Sequence, residues 1–298
     1  MKELDFADHL LKKFQDDGFL IMENYYDDEL CDKLRHECSL IIDKMNPEEH
    51  KTVFETQNDE EHVGDDYFLT SGDKIRFFWE TEAVNDKGNL NRPKHIALNK
   101  IGHALHFLNP AFKDATFTPE LKIILQRLGY IRPVVPQSMY IFKQPNIGGE
   151  VTKHVDATFL DNNPRKLTGF WIALEDTTLE NGCLYFAPGS HKNVDLNFKM
   201  VRNPDKRKRG VIFEGEIEYC NDNEFMSVPV KKGSMIIIDG LVQHYSAKNI
   251  SDKSRHIYTF HVAESYQTEW SKKNWLQPTD TPFPVVYDCS ATAQKENV

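Results

Sequence analysis

From about residue 131 onward the chain is a succession of short β-branched and aromatic runs broken by Gly, Pro, Asn and Asp, and no other feature limits its fold as much. The runs fall at 134–142, 150–157, 167–174, 183–187, 225–230, 235–238 and 254–262. Short strands in such a series predict two packed sheets, a sandwich or jelly roll. The part before residue 130 reads differently. Phe6, Leu10, Leu11 and Phe14 recur at helical spacing, and Gly18 is a stop before the apolar run 19–22, which predicts helix then strand. Asp27 can cap a second helix in which Leu30, Leu34, Cys38, Ile41 and Ile42 share a face. A third helix is expected over 96–108, and the polar, acidic stretch 46–66 reads as a surface loop. Beyond Trp275, Pro278, Pro282 and Pro284 predict extended chain.

The expected fold class is therefore mainly β with flanking helices, its core a double-stranded β-helix of the jelly-roll, cupin-like kind. A chain of 298 residues with 40% hydrophobic content can bury one large core, so a single domain over 1–298 is expected. Within it a helical part, 1–130, packs on a jelly-roll core, 131–265, and an extended tail, 266–298, wraps the outside.

Charge and cysteine usage remove several classes of function. The formal net charge of −10 opposes tracking along a phosphate backbone, so nucleic acid is not an expected partner. The five cysteines lack a paired spacing, which argues against a disulfide framework or a cysteine-held zinc and for a reducing compartment. The N-terminus is charged from the outset, and no apolar run approaches the roughly 18 residues needed to span a bilayer. The ending Lys295-Glu296-Asn297-Val298 is not a peroxisomal Ser-Lys-Leu signal. A cytoplasmic monomer without membrane contact is the expectation.

The chemistry is carried by His154-Val155-Asp156. In a strand, alternation sends the imidazole and the carboxylate to one face about 6 to 7 Å apart, close enough for one metal ion to bridge them. With 12 histidines in the chain, a His-x-acid triplet is expected about twice by chance, so the triplet needs its context: it follows the Ile147-Gly148-Gly149 loop and precedes strand-like residues. His244 is the best third ligand, because an apolar strand and the Asp239-Gly240 turn deliver it onto a short polar stretch. Two imidazoles and one carboxylate with three open positions form the facial triad that suits non-haem iron(II), a chelating cosubstrate and dioxygen. His191, in a turn sequence, reads as structural. His103 and His106, one turn apart on the expected third helix, read as packing or surface groups. His256 and His261 are five residues apart on the last strand and must face opposite sides, so at most one reaches a cavity. A dicarboxylate chelating the metal needs a cation for its far end, and Arg255 opens the strand after His244 with a bidentate fork. Taken alone, an arginine at a strand start is more often a surface residue.

The run His154-x-Asp156, the later His244 and Arg255 eleven positions beyond it resemble the phytanoyl-CoA dioxygenase family. So do Lys100-Ile101-Gly102-His103-Ala104-Leu105-His106, Asn181-Gly182-Cys183-Leu184, Pro188-Gly189-Ser190-His191 and Asn274-Trp275-Leu276-Gln277-Pro278. The resemblance runs nearly end to end. It implies a double-stranded β-helix that binds iron(II) and decarboxylates 2-oxoglutarate to succinate while hydroxylating a C–H bond, with ascorbate as a stimulant. It also implies His154, Asp156 and His244 as metal ligands and catalytic centre, and Arg255 as partner of the distal carboxylate of 2-oxoglutarate. Lys100, Met139 and Trp171 become further cosubstrate contacts, where composition alone gives a solvated lysine and core packing.

The expected partners are 2-oxoglutarate, dioxygen and a small-molecule or acyl-CoA-like substrate. A cupin-like enzyme using its metal as a Lewis acid, and a non-catalytic binding protein of the same fold, remain the alternatives. The basic cluster Lys206-Arg207-Lys208-Arg209, between strands, reads as a solvated loop in preference to a clamp for an anionic substrate.

Overall fold

Alternation along each strand sorts the chain into an apolar outer face that meets helices and an inner face that meets a second sheet. A computed structural model describes residues 6–50, 52–53, 66–205 and 210–296; the basic cluster 206–209 and residues 51 and 54–65 of the expected loop lie outside them. Helix α1 (Asp8–Asp17) ends where Gly18 takes φ 82° and its N–H donates to the Phe14 carbonyl, a left-handed stop that glycine adopts without a Cβ penalty. Strand β1 (Phe19–Met22) follows directly. In helix α2 (Asp28–Lys44) the Leu30 N–H donates to Asp27 Oδ1 at 2.8 Å, the expected cap, and Cys31, Leu34, Cys38 and Ile42 are buried.

The remaining strands are β2 (Ile75–Trp79), β3 (Leu98–His103), β4 (Pro133–Ile141), β5 (Val151–His154), β6 (Asn162–Asn163) and β7 (Leu167–Ala173). They continue with β8 (Leu184–Phe186), β9 (Lys199–Arg202), β10 (Val211–Glu214), β11 (Met226–Val228) and β12 (Met235–Asp239). The series ends with β13 (His244–Ser246), β14 (Ile257–Glu264) and β15 (Glu269–Trp270). A seven-stranded sheet runs β1-β12-β7-β14-β4-β3-β2, and a four-stranded sheet runs β11-β8-β13-β5. The outer face of the larger sheet, with Leu20, Tyr140, Phe170, Ile172, Ile237, Tyr258 and Phe260, packs in one cluster with Leu34, Cys38 and Phe112 from the helices. Between the sheets, Trp171, Ala173, Ile236, Ile238 and Ile257 meet Leu184 and Phe186. Each Leu, Ile or Phe among them contributes roughly 1.5 to 3 kcal/mol by leaving water. The architecture is the expected jelly-roll core with flanking helices.

Several local expectations are corrected. The helix expected over 96–108 gives way to strand at its centre: β3 pairs with β2 on one side and β4 on the other, and only Leu105–Leu108 within it is α-helical. Both faces of β3 are covered, so its apolar residues lack the two-residue alternation of a half-buried strand. The N-terminal part is thus not purely helical, since β1, β2 and β3 belong to the large sheet. The strand expected over 150–157 stops at His154, and Asp156–Thr158 is a turn of 3-10 helix. The tail is not wholly extended: Ser290–Glu296 is helical. The strands β9 and β10, on either side of the basic cluster, pair antiparallel.

Candidate active site

Two adjacent antiparallel strands of the smaller sheet bring the two histidines together. His244 on β13 lies directly opposite His154 on β5, and cross-strand neighbours hold their Cβ atoms about 4.5 to 5.5 Å apart. Their rings stand 4.1 Å apart, centroid to centroid. Each Nδ1–H donates to a carbonyl two residues back, His154 to Thr152 at 2.8 Å and His244 to Val242 at 3.0 Å. That fixes the tautomer and leaves both Nε2 lone pairs for a metal. Asp156 arrives through the 3-10 turn, which is docked by an Ala157 N–H bond to the Gly240 carbonyl at 2.8 Å. Its Oδ1 is 3.7 Å from His154 Nε2 and 3.7 Å from His244 Nε2. The three donor atoms lie within 4.8 Å of one another. A nitrogen, nitrogen, oxygen set of this compactness fits a first-row divalent ion held on one face, iron(II) included.

The electrostatics agree with that chemistry. Burial alone would raise the Asp156 carboxyl, but the imidazoles of His261, His244 and His154 facing it hold its pKa well below the ordinary carboxylate range. Burial pushes His154 down to about 4, with the facing His244 adding to it. Both groups are therefore in their ligating forms at neutral pH.

The triad opens on a cavity of about 1280 Å³ between the sheets. Register sets out its floor in rows on the large sheet. Gly169, His261 and Gln137 form one row across β7, β14 and β4, and Trp171, Thr259 and Met139 form the next. Lys100 on β3 pairs with Ile141 one row further on. Rows on one face are about 6.5 to 7 Å apart, so the floor leads from the His-Asp-His cluster to a cationic end. There Arg255 is 2% exposed, and its Nε and Nη1 are buried without a hydrogen-bond partner among the described residues. Its guanidinium lies 5.3 Å from the Trp171 ring centroid. Burial pushes its pKa down to about 10, an effect that Cys183, Glu80 and Glu175 partly offset. Burial likewise holds Lys100 well below the ordinary lysine value, with its Nζ 5.4 Å from the Phe78 ring centroid. The two unpartnered Arg255 donors cost about 1 to 3 kcal/mol or more each, and a carboxylate bound at this end relieves that cost. The residues present fit a chelating dicarboxylate as well as a metal.

All seven residues singled out from the sequence, His154, Asp156, His244, Lys100, Met139, Trp171 and Arg255, line this one cavity. Lys100 reaches it from a strand and not from a helix. His191 lies outside, its Nε2 3.1 Å from the Gln15 carbonyl oxygen. His106 is buried against Ser138 Oγ, 2.9 Å from its Nδ1, whereas His103, read as a packing or surface group, lines the cavity. Of the last-strand pair, His256 faces outward to Tyr140 Oη at 2.9 Å. His261 faces in, with Nε2 3.1 Å from Asp156 Oδ2. Sequence reasoning named no contact for it, although its two-residue spacing from Thr259 was available as a signal. Also missed were Gln137 and the aromatic wall of Phe159, Phe198 and Phe213, in which Phe198 stacks on Phe213 at 5.0 Å.

Comparison with known proteins bears on this geometry. The family model described as phytanoyl-CoA dioxygenase (PhyH) matches residues 14–257. The chain belongs to the phytanoyl-CoA dioxygenase family. It is 50% identical over 287 residues to phytanoyl-CoA dioxygenase domain-containing protein 1 of Danio rerio, covering 94% of this chain and 98% of that one. Its identity to the homolog of that protein in Caenorhabditis briggsae is 49% over 283 residues, covering 93% and 98%. Among solved structures, the non-heme alpha ketoglutarate dependent carbocyclase SnoK from nogalamycin biosynthesis superposes with TM-score 0.63 at 17% identity, covering 95% of this chain and 97% of its own. EctD from S. alaskensis, solved with 2-oxoglutarate and 5-hydroxyectoine, superposes with TM-score 0.60 at 15% identity, covering 95% and 84%. At such identities these two likenesses establish the shared fold, while the family rests on the sequence relatives. No helix among the described residues is long and apolar enough to cross a membrane.

Proposed function

We propose that this chain is an iron(II)- and 2-oxoglutarate-dependent dioxygenase that couples decarboxylation of 2-oxoglutarate to hydroxylation of a second substrate. The observation that carries the reading is Arg255: a buried guanidinium with two unpartnered donors, in the same cavity as a His-Asp-His cluster. A non-oxidative metal enzyme has no need of a buried cation at the end of its cavity, whereas a dicarboxylate cosubstrate does. Family membership and the solved neighbours named with alpha ketoglutarate or 2-oxoglutarate support the same choice.

In this reading His154, Asp156 and His244 hold the iron, and Arg255 pairs with the distal carboxylate of 2-oxoglutarate. Lys100 adds positive potential, and Met139, Trp171 and Thr259 wall the cosubstrate. With iron and 2-oxoglutarate bound, dioxygen would be the oxidant, one of its oxygen atoms going into succinate as carbon dioxide leaves and the other into the hydroxylated substrate. The protein orients the reactants and excludes water, the contribution expected of a scaffold around reactive chemistry. Phe159, Phe198 and Phe213 offer an apolar wall beside His154 for the second substrate. The test is to mix purified protein with iron(II), ascorbate and 2-oxoglutarate and assay succinate. Wild type is expected to form succinate and Arg255→Ala none; a wild type that forms none at saturating 2-oxoglutarate sinks the reading.

A further inference from the structure

We propose that His261 is a positioning residue that keeps Asp156 a one-oxygen ligand, so that a third coordination position stays open. The inference rests on the metal-binding reading above and goes beyond it. His261 Nε2 lies 3.1 Å from Asp156 Oδ2, while Oδ1 is the oxygen equidistant, at 3.7 Å, from the two ligating imidazole nitrogens. The two oxygens of one carboxylate thus have separate tasks, one turned to the histidine pair and the other occupied by an N–H. The other side of the His261 ring fixes which nitrogen carries that proton. Gln137 Nε2 stands 3.3 Å from His261 Nδ1, and an amide N–H there needs a lone pair on Nδ1, which leaves the hydrogen on Nε2.

Register and a missing side chain make room for this contact. His261 on β14 is flanked by Gln137 on β4 and Gly169 on β7 in one row. A Cβ at Gly169 would sit 2.9 Å from Asp156 Oδ2 and 3.5 Å from His261 Nε2. Any larger residue at 169 would push the carboxylate off its donor. The consequence is a count of sites. An octahedral ion held by three protein atoms has three positions left, enough for a chelating cosubstrate and dioxygen. A carboxylate gripping through both oxygens takes one of those, and the chelating cosubstrate fills the rest.

The test uses full-length protein loaded with Co(II), whose visible d–d bands report coordination number, followed by 2-oxoglutarate under the same conditions. Replacing partners that hold a ligand typically costs about 10- to 100-fold in metal affinity. His261→Leu is expected to weaken Co(II) by that amount and to change the band intensities. His261→Gln, which keeps an N–H at nearly the same reach, is expected to restore the wild-type spectrum. Gly169→Ala, which leaves all three imidazoles in place, is expected to reproduce the spectral change of His261→Leu. It also carries the test if the leucine variant does not fold. Wild-type affinity and bands in both His261→Leu and Gly169→Ala overturn the assignment, as does a glutamine variant no better than leucine. A wild type that binds Co(II) with these dependences but shows no response to 2-oxoglutarate overturns the oxygenase reading and leaves the role of His261 standing.

Discussion

His154 and His244 are cross-strand neighbours on β5 and β13, their rings 4.1 Å apart with both Nδ1 atoms tied back to main-chain carbonyls. The arrangement is set by sheet register before any metal arrives, so each ring presents Nε2 without a rotamer search. Removing either leaves one imidazole and one carboxylate oxygen, too few donors to hold a weakly binding first-row ion. His154→Ala and His244→Ala are each expected to lose iron, read as metal content after desalting, together with succinate formation. Wild-type iron in His244→Ala, with a metal-free His191→Ala, would move the distal ligand to the turn at 191.

Occupancy should also be visible as stability. A ligand that binds only the folded state stabilises it by about 2.7 kcal/mol at a hundred times its Kd, and in a domain of this size each kcal/mol is worth roughly 2 °C in Tm. Manganese(II) with 2-oxoglutarate is therefore expected to raise the wild-type Tm by about 5 °C. The same addition to His154→Ala should leave Tm unchanged in a thermal-shift measurement. Equal shifts in the two proteins would mean that the ions bind elsewhere.

The strand series and the His-Asp-His cluster were legible in the sequence because both depend on local pattern. Turn residues punctuate short apolar runs, and a His-x-Asp triplet is readable wherever a strand leads into it. Lys100 shows where local pattern fails. It lies on β3, where residues on both faces are buried, so its neighbours carry no two-residue alternation and the segment passes for helix. Its place in the cavity followed from family resemblance and not from periodicity. His261 fails for another reason. Alternation puts it on one face with Arg255 and Thr259, opposite His256, but its contact with Asp156 joins two distant segments of the chain, and no short window of sequence contains that. Gln137 and Gly169 belong to the same row and were invisible for the same reason.

Acid should destabilise the fold through its buried neutral histidines. Burial holds His106 down to about 4, against about 6.5 in an unfolded chain. Between those values the unfolded state binds more protons, so the contribution is fully present above pH 6.5 and is lost as pH falls towards 4, about 3 kcal/mol in all. Urea unfolding at pH 7 and pH 5 is expected to show a smaller loss in His106→Asn than in wild type, by on the order of 2 kcal/mol. Parallel losses in the two proteins would show that His106 is protonated in the fold without penalty.

Arg255 offers the sharpest separation between cosubstrate and metal. Its guanidinium is buried against Trp171 with Nε and Nη1 unpartnered among the described residues, and the His-Asp-His cluster belongs to β5, the turn after it and β13. A carboxylate entering the cavity must find a charged partner or remain a costly unpaired charge. Truncating such a partner typically costs about 3 to 5 kcal/mol, a hundredfold or more in affinity. Arg255→Ala is therefore expected to lose 2-oxoglutarate binding at ordinary concentrations while iron(II) affinity stays at the wild-type level. Arg255→Lys should recover part of the loss, because a point charge replaces the fork without its second hydrogen bond. Anaerobic titration of 2-oxoglutarate into the iron-loaded proteins, followed by the charge-transfer absorption of the complex, measures both variants. An unchanged titration in Arg255→Ala would remove that residue from the site, and Lys100, buried in the same cavity, would be the first cation to examine in its place.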